Sequence, residues 1–238
     1  AKENWDEEET GEHNPYAELP ALSMYTYQMS NMILDKVQQG ADIDGETNVD
    51  YAFDLNEFFS TTDSGRFVYE EDVLKWLDSL TSNERYPFST EILRNELKHT
   101  LWLLNRVDSA KALARLLKQH EVFKEYEIIS VAGDGKLDRY NGEEIETDVE
   151  DITGRNTALE RVQKAIKDND KTITLTVGQL TTGVTVPEWS AVLMLSNVQS
   201  PALYMQAAFR AQNPYSWNGQ VRDSDGKLKT MRFRKHNA

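Results

Sequence analysis

Cysteine is absent from this 238-residue chain. Disulfides and thiolate-bound metal are thereby excluded, and a reducing compartment fits. Histidine is scarce too: His13, His99, His120 and His236 are scattered without ligand spacing, so no metal site is expected. No apolar run approaches the length of a membrane span, and no signal-like stretch opens the sequence. A soluble, cytoplasmic protein without membrane association is the expectation. Also missing is any Gly-x-x-x-x-Gly-Lys-Ser/Thr loop, without which phosphates and Mg²⁺ are not held for ATP hydrolysis. The Gly-rich dinucleotide fingerprint with its downstream acid is absent as well, which argues against a Rossmann-type enzyme.

Basic residues are outnumbered, 26 to 40 acidic, for a formal charge of −14. That argues against a strongly basic nucleic-acid module. The distribution is uneven, however. Acid gathers between Glu3 and Glu12 and between Glu143 and Asp151, whereas base gathers near Arg106, Lys111 and Arg115 and again at Arg232, Arg234 and Lys235. The acid-rich 143–151 stretch lacks the Gly-centred pattern of a calcium loop. Hydrophobic residues at 39 % and aromatics at 10 % suffice for a real core, and 28 % charged residues is ordinary globular usage. The first residue is not Met, and the chain reads as a piece of a longer protein.

Up to Lys98 no strand–helix rhythm repeats. Tyr25 to Met29 is aromatic and β-branched enough for a strand. Phe53, Leu55, Phe58 and Phe59 can anchor a short helix, and Val73, Leu74, Trp76, Leu77 and Leu80 recur at helical spacing over Glu70 to Leu80. Ser89-Thr90-Glu91 can cap another short helix ending near Lys98. Residues 1–98 are thus expected to be a mixed, mainly helical appendage, an interdomain linker or insertion, with the main domain at 99–238.

From Thr100 short apolar runs alternate with helices. Leu101 to Leu104, Ile128 to Ala132, Thr172 to Val177 and Ala191 to Leu195 read as strands; Asp108 to Gln119 and Thr157 to Lys167 read as helices between them. Such alternation predicts an α/β fold with a parallel sheet and helices on both faces. Ligands of open parallel sheets bind beyond the carboxyl ends of the strands. The segments after Leu104, Ala132, Val177 and Leu195 are therefore the ones to inspect.

After Val177 runs Gly178-Gln179-Leu180-Thr181-Thr182-Gly183-Val184-Thr185-Val186-Pro187. Glycine permits close backbone approach or positive φ, and threonine hydroxyls can donate to phosphate oxygens; a polar turn closed by Pro187 fits equally well. After Leu195, Ser200 suits an N-cap and Pro201 the first position of a helix expected over Ala202 to Gln212. Gln206 and Arg210 sit four apart on a helix otherwise almost wholly apolar, which predicts burial. A buried arginine needs an anion: either an acidic neighbour or a phosphate, to which its forked donors are suited.

The Gly-x-Thr-x-Pro strand exit (Gly183 to Pro187), about twenty residues before Gln206-Ala-Ala-Phe-Arg210, resembles motifs V and VI of superfamily-2 helicases, and the strand and helix from Thr100 to His120 match the place of motif IV. The resemblance covers about Leu97 to Pro214. From Thr172 to Pro214 it is most similar to the helicase subunits of restriction–modification systems and related phage-defence translocases. It departs in two places: Thr185 stands where the family has Asp, and Asn213 where motif VI has a second arginine. Trp5-Asp6-Glu7-Glu8-Glu9 has a superficial likeness to a DExx box, but no apolar strand precedes it and it reads as a solvated charge run.

This resemblance implies a RecA-like C-terminal motor domain of a DNA helicase or translocase. Its catalytic residues would be Arg210, reaching across an interdomain cleft to ATP phosphate, and Gln206, coupling nucleotide state to cleft closure. Gly183 and Thr185 would join Arg210 at the nucleotide. Asn105, Arg106, Thr181 and Thr182 would contact the nucleic-acid backbone. The implied cofactors are ATP and Mg²⁺, the metal held mainly by a first motor domain. The implied partners are DNA, that N-terminal RecA-like domain of the same parent chain, and a nuclease or methyltransferase. The competing expectation is a non-catalytic α/β interaction module that keeps the fold.

Overall fold

Four short runs rich in β-branched residues and leucine pair into one parallel sheet in the computed structural model, which describes residues 14, 17, 19–25, 54–82, 86–131, 149–222 and 227–235. The strands are β1 (His99–Leu103), β2 (Glu127–Ser130), β3 (Thr172–Thr176) and β4 (Ala191–Met194), in the spatial order β2-β3-β1-β4. Leu101 lies beside Thr174 on one side and Val192 on the other, and Ile129 also pairs with Thr174, so the four strands share one register. Every residue of the two central strands is buried; those of edge strand β4 are half-buried.

The helices in chain order are α1 (Leu55–Phe58), α2 (Glu70–Ser82), α3 (Glu91–Glu96), α4 (Val107–Gln119), α5 (Val149–Asp168) and α6 (Pro201–Ala208). Successive strand residues point to opposite faces, and the core divides accordingly. Trp102, Leu104, Ile128, Ile173 and Leu175 join α4 through Leu113 and Leu117. Leu101, Ile129 and Val131 join α5 through Ala158 and Val162, together with Trp189. Helices thus cover both faces, as the alternation of runs predicts.

The segment before the sheet is part of the first of these clusters. Phe58, Phe59, Val73, Leu77 and Phe88 pack with Trp102 and Leu113. Edge-on aromatic contacts run Phe59 to Trp76 at 5.3 Å and Trp76 to Trp102 at 6.1 Å between ring centroids. Full burial stabilises each such large apolar side chain by about 1.5–3 kcal/mol, so the core is continuous across position 98. Thr90 caps α3, accepting from the Leu93 N–H at 3.2 Å.

Three differences from expectation have physical causes. Helix α5 begins at Val149 rather than near Thr157, because its first two turns carry no 3.6-residue apolar repeat to reveal them. A two-stranded antiparallel hairpin, β5 (Ser216–Arg222) with β6 (Leu228–Arg234), follows the sheet. The helix expected over Ala202 to Gln212 is α6, followed by a 3₁₀ turn at Phe209–Ala211.

That last helix also corrects the expectation of burial. Within α6 only Ala207 is buried, while Met205 is 36 % and Phe209, in the turn, 43 % exposed. The helix lies against β4 at the sheet's edge. The expected strand at 25–29 falls, from residue 26 onward, outside the described residues, as do the acidic head and the Gly133–Gly135 turn. No helix among the described residues is long and apolar enough to cross a membrane.

Candidate nucleotide and nucleic-acid site

Because β1 lies between β3 and β4, the exits of these three strands are neighbours at one edge of the sheet. Backbone bonds carry the pairing one step past the strands: Leu104 N–H to Thr176 O at 2.9 Å and Leu195 N–H to Leu103 O at 2.8 Å. The β4 exit is held by the N-cap of α1, with Asn197 Nδ2 donating to Asp54 Oδ1 at 2.7 Å and Asn197 N–H to Asn56 Oδ1 at 3.1 Å. Nothing in the sequence signals this long-range tie.

The loop after β3 turns through left-handed backbone at Gly178 (φ 104°), Leu180 (φ 62°) and Gly183 (φ 68°). Leu180 is the only non-glycine residue with positive φ among those described. Such a conformation costs an L-residue roughly 1–2 kcal/mol, and full burial of the Leu180 side chain against α5 and Trp189 offsets it. Thr181 is buried, and its hydroxyl donates to Gly178 O at 2.6 Å. That hydroxyl shapes the loop and is not presented outward. Thr182 is half-exposed, and Gly183 and Thr185 are exposed.

Arg210 meets this loop. Its Nη1 donates to Val184 O and its Nε to Gln206 O at 3.0 Å. Burial draws its pKa below the usual guanidinium value. No carboxylate pairs with it among the described residues, so its partners are neutral carbonyls and not an acidic neighbour. Asn213 Nδ2 donates to Arg210 O at 3.1 Å, which fixes the turn from the position where motif VI carries its second arginine. The Gln206 side chain is exposed. The structure therefore joins Arg210 and Gln206 to the Gly183–Thr185 stretch, two segments remote in sequence.

Asn105 and Arg106 stand at the β1 exit, beside that loop in the sheet order. Arg106 is exposed and occupies the N-cap of α4 without a side-chain capping bond. The Asn105 side-chain oxygen is buried with no hydrogen-bond partner among the described residues, and such a group is costly unless something donates to it. No hydrogen bond joins either residue to Arg210 or Gln206 among the described residues.

A cavity of about 360 Å³ lies at the opposite edge, where the strands begin, lined by Lys98, His99, Asp170, Glu188, Ser190 and Tyr215 among others. Open parallel sheets do not place ligands at that edge, and the cavity takes no part in the candidate site. Lys235, one of the basic residues near the end of the sequence, is buried between this cavity and the Arg210 turn. No group of three or more His, Asp or Glu among the described residues could hold a metal ion.

No family model matches the chain. It is 34 % identical over 163 residues to a Mycoplasma pneumoniae protein that bears the name of a type II restriction enzyme and methyltransferase, C-terminus. The match covers 64 % of this chain and 20 % of that protein, so the chain spans about a fifth of the relative's length.

Proposed function

We propose that this chain is the second, RecA-like motor domain of an ATP-dependent DNA helicase or translocase, working within a cytoplasmic restriction–modification or phage-defence enzyme. The observation that carries the reading is Arg210. A guanidinium on an exposed apolar helix end rests on the carbonyl of a strand-exit loop, with no acidic partner among the described residues. Carbonyls are weaker acceptors than anions, so a phosphate arriving beside this loop would draw the guanidinium to itself. The name of the Mycoplasma pneumoniae relative supports the restriction setting, and it supports a nuclease or methyltransferase as a companion activity.

ATP with Mg²⁺, the metal held mainly by a first motor domain of the same parent chain, would supply the transferable phosphoryl group. Arg210 would neutralise charge developing there, where preorganised donors have their largest effect. Gln206 and the exposed Gly183–Thr185 stretch would sense whether the cleft is closed. The exposed Met205 and Phe209 give the first motor domain an apolar surface to close upon. At the sheet edge Asn105, Arg106 and Thr182 would touch DNA phosphates, Thr181 acting instead through loop shape. Residues 1–98 would form a linker or insertion whose described helices brace the sheet.

The test is Arg210→Ala in an enzyme carrying both motor domains. DNA-stimulated ATPase should fall by about a thousandfold or more, to a small residual rate, while the circular dichroism and melting of the protein stay those of wild type. Unchanged ATPase would overturn the finger assignment and leave the non-catalytic interaction module as the surviving reading.

A further inference from the structure

Lys235 directly follows β6 and is only 6 % exposed. Its ammonium donates to three backbone carbonyls: Pro187 O at 3.0 Å, Trp189 O at 2.8 Å and Ala211 O at 2.6 Å. Its own N–H donates to Tyr215 O at 2.9 Å. A lysine carries three such protons, and all three are used. No carboxylate forms an ion pair with it among the described residues. Placing an ammonium out of water is unfavourable unless its protons are satisfied, and here backbone alone satisfies them.

Two cations therefore tie the same two segments together. Arg210 reaches from the 209–211 turn to Val184 O. Lys235 grips Ala211, the next residue after Arg210, and holds it to Pro187 and Trp189, three and five residues beyond Val184. The two ties differ in character. The Arg210 side chain is half-exposed and can exchange one acceptor for another, whereas Lys235 is buried with all three of its protons bonded.

We propose that Lys235 is the positioning residue for Arg210: it clamps the 209–211 turn to the 187–189 segment, so that the guanidinium can leave Val184 for a phosphate without the turn's backbone following. This rests on Arg210 acting as the finger. A displacement of about 1 Å in a positioned catalytic group costs on the order of a hundredfold in rate, which is why a fixed turn matters there.

The first arm of the test involves no ATP. The Gln212 and Trp189 amides donate to Phe209 O and Val186 O and lie on the two clamped segments. In Lys235→Met their hydrogen exchange should speed by about tenfold or more, each lost bond being worth close to that factor, while the sheet amides of Leu104 and Val131 keep their rates. The second arm uses an enzyme carrying both motor domains. Lys235→Met should lower the kcat of DNA-stimulated ATPase at least about tenfold, with the KM for ATP within about threefold. Combined with Arg210→Ala it should add nothing further, because the lysine acts only through the arginine.

Unchanged exchange at Gln212 and Trp189 would overturn the clamp, whatever the ATPase does. A further loss of activity in the double variant would overturn its action through Arg210. If Arg210→Ala alone leaves ATPase intact, it is the finger reading that fails, and the exchange arm still reports on the clamp. Should Lys235→Met not fold, the wild type suffices: the Lys235 ammonium should give a slowly exchanging ¹⁵N signal coupled to the carbonyl carbons of 187, 189 and 211, and a freely exchanging ammonium would refute the clamp.

Discussion

Acid should weaken this fold through His99. The residue opens central strand β1, is 9 % exposed, and has its Nδ1 3.0 Å from Oγ1 of Thr172, its register partner on β3. Burial lowers its pKa from 6.5 to about 4, with nearby Asp170 opposing the shift and Lys98 adding to it. The folded value lies below the unfolded one, so the folded state keeps the ring neutral. The stability this provides is complete above pH 6.5 and drains away as pH falls from 6.5 towards 4. Each pH unit in that window removes about 1.4 kcal/mol. The gap of about 2.5 units therefore limits the loss to roughly 3.5 kcal/mol, of which about 2 kcal/mol is gone by pH 5. Urea unfolding at pH 7.5, 6 and 5 measures it, with His99→Gln as reference, since an amide can bond Thr172 without titrating. The 40 acidic residues titrate in both proteins, so only the difference between the two curves counts. Wild type should lose about 2 kcal/mol relative to the variant between pH 7.5 and 5. Parallel curves would refute a neutral, buried His99.

Two further outcomes follow from the opposite edge. The chain should bind DNA weakly and without sequence preference, and Arg106→Ala should reduce the slope of log affinity against log salt by about one; an unaltered slope, or tight sequence-specific binding that resists salt, would contradict backbone contact at the β1 exit. Gly183→Ala places a Cβ on left-handed backbone at φ 68° and should reduce the free energy of unfolding by about 1–2 kcal/mol, measured by chemical denaturation; a change under about 0.5 kcal/mol would mean the loop does not need that conformation.

The sheet is legible because fully buried parallel strands are near-continuous apolar runs. Leu101-Trp102-Leu103 and Ile128-Ile129 announce themselves, and the helix spacing of Leu113 and Leu117 fixes α4 within a residue. The burial of α6 is not legible, because hydrophobicity along a helix says nothing about which layers are present to cover it. Met205 and Phe209 look like core in the sequence and are surface in the described structure. The hairpin after the sheet is obscured by polar residues in β5, with Ser216, Asn218 and Gln220 alternating along it. Its available signal is Asp225-Gly226, a dipeptide favoured in tight hairpin turns, between two runs of alternating character.

The candidate site divides in the same way. Arg210 stands out in sequence as a cation in an apolar setting, but its protein partner does not: in place of an acidic neighbour it has a carbonyl of Val184. Lys235 has no signal at all, since Arg232 and Arg234 precede it in one basic run and only tertiary burial sets it apart. Burial draws its pKa down to about 8, with Glu188 opposing. The contrast between the two cations is what the proposed function requires. A group that must reach a phosphate and return should rest on acceptors it can surrender, at a position water and ligand can enter. A group that keeps the first in register should have every proton committed and no competing solvent. Arg210 at the rim and Lys235 beneath it divide these roles between them.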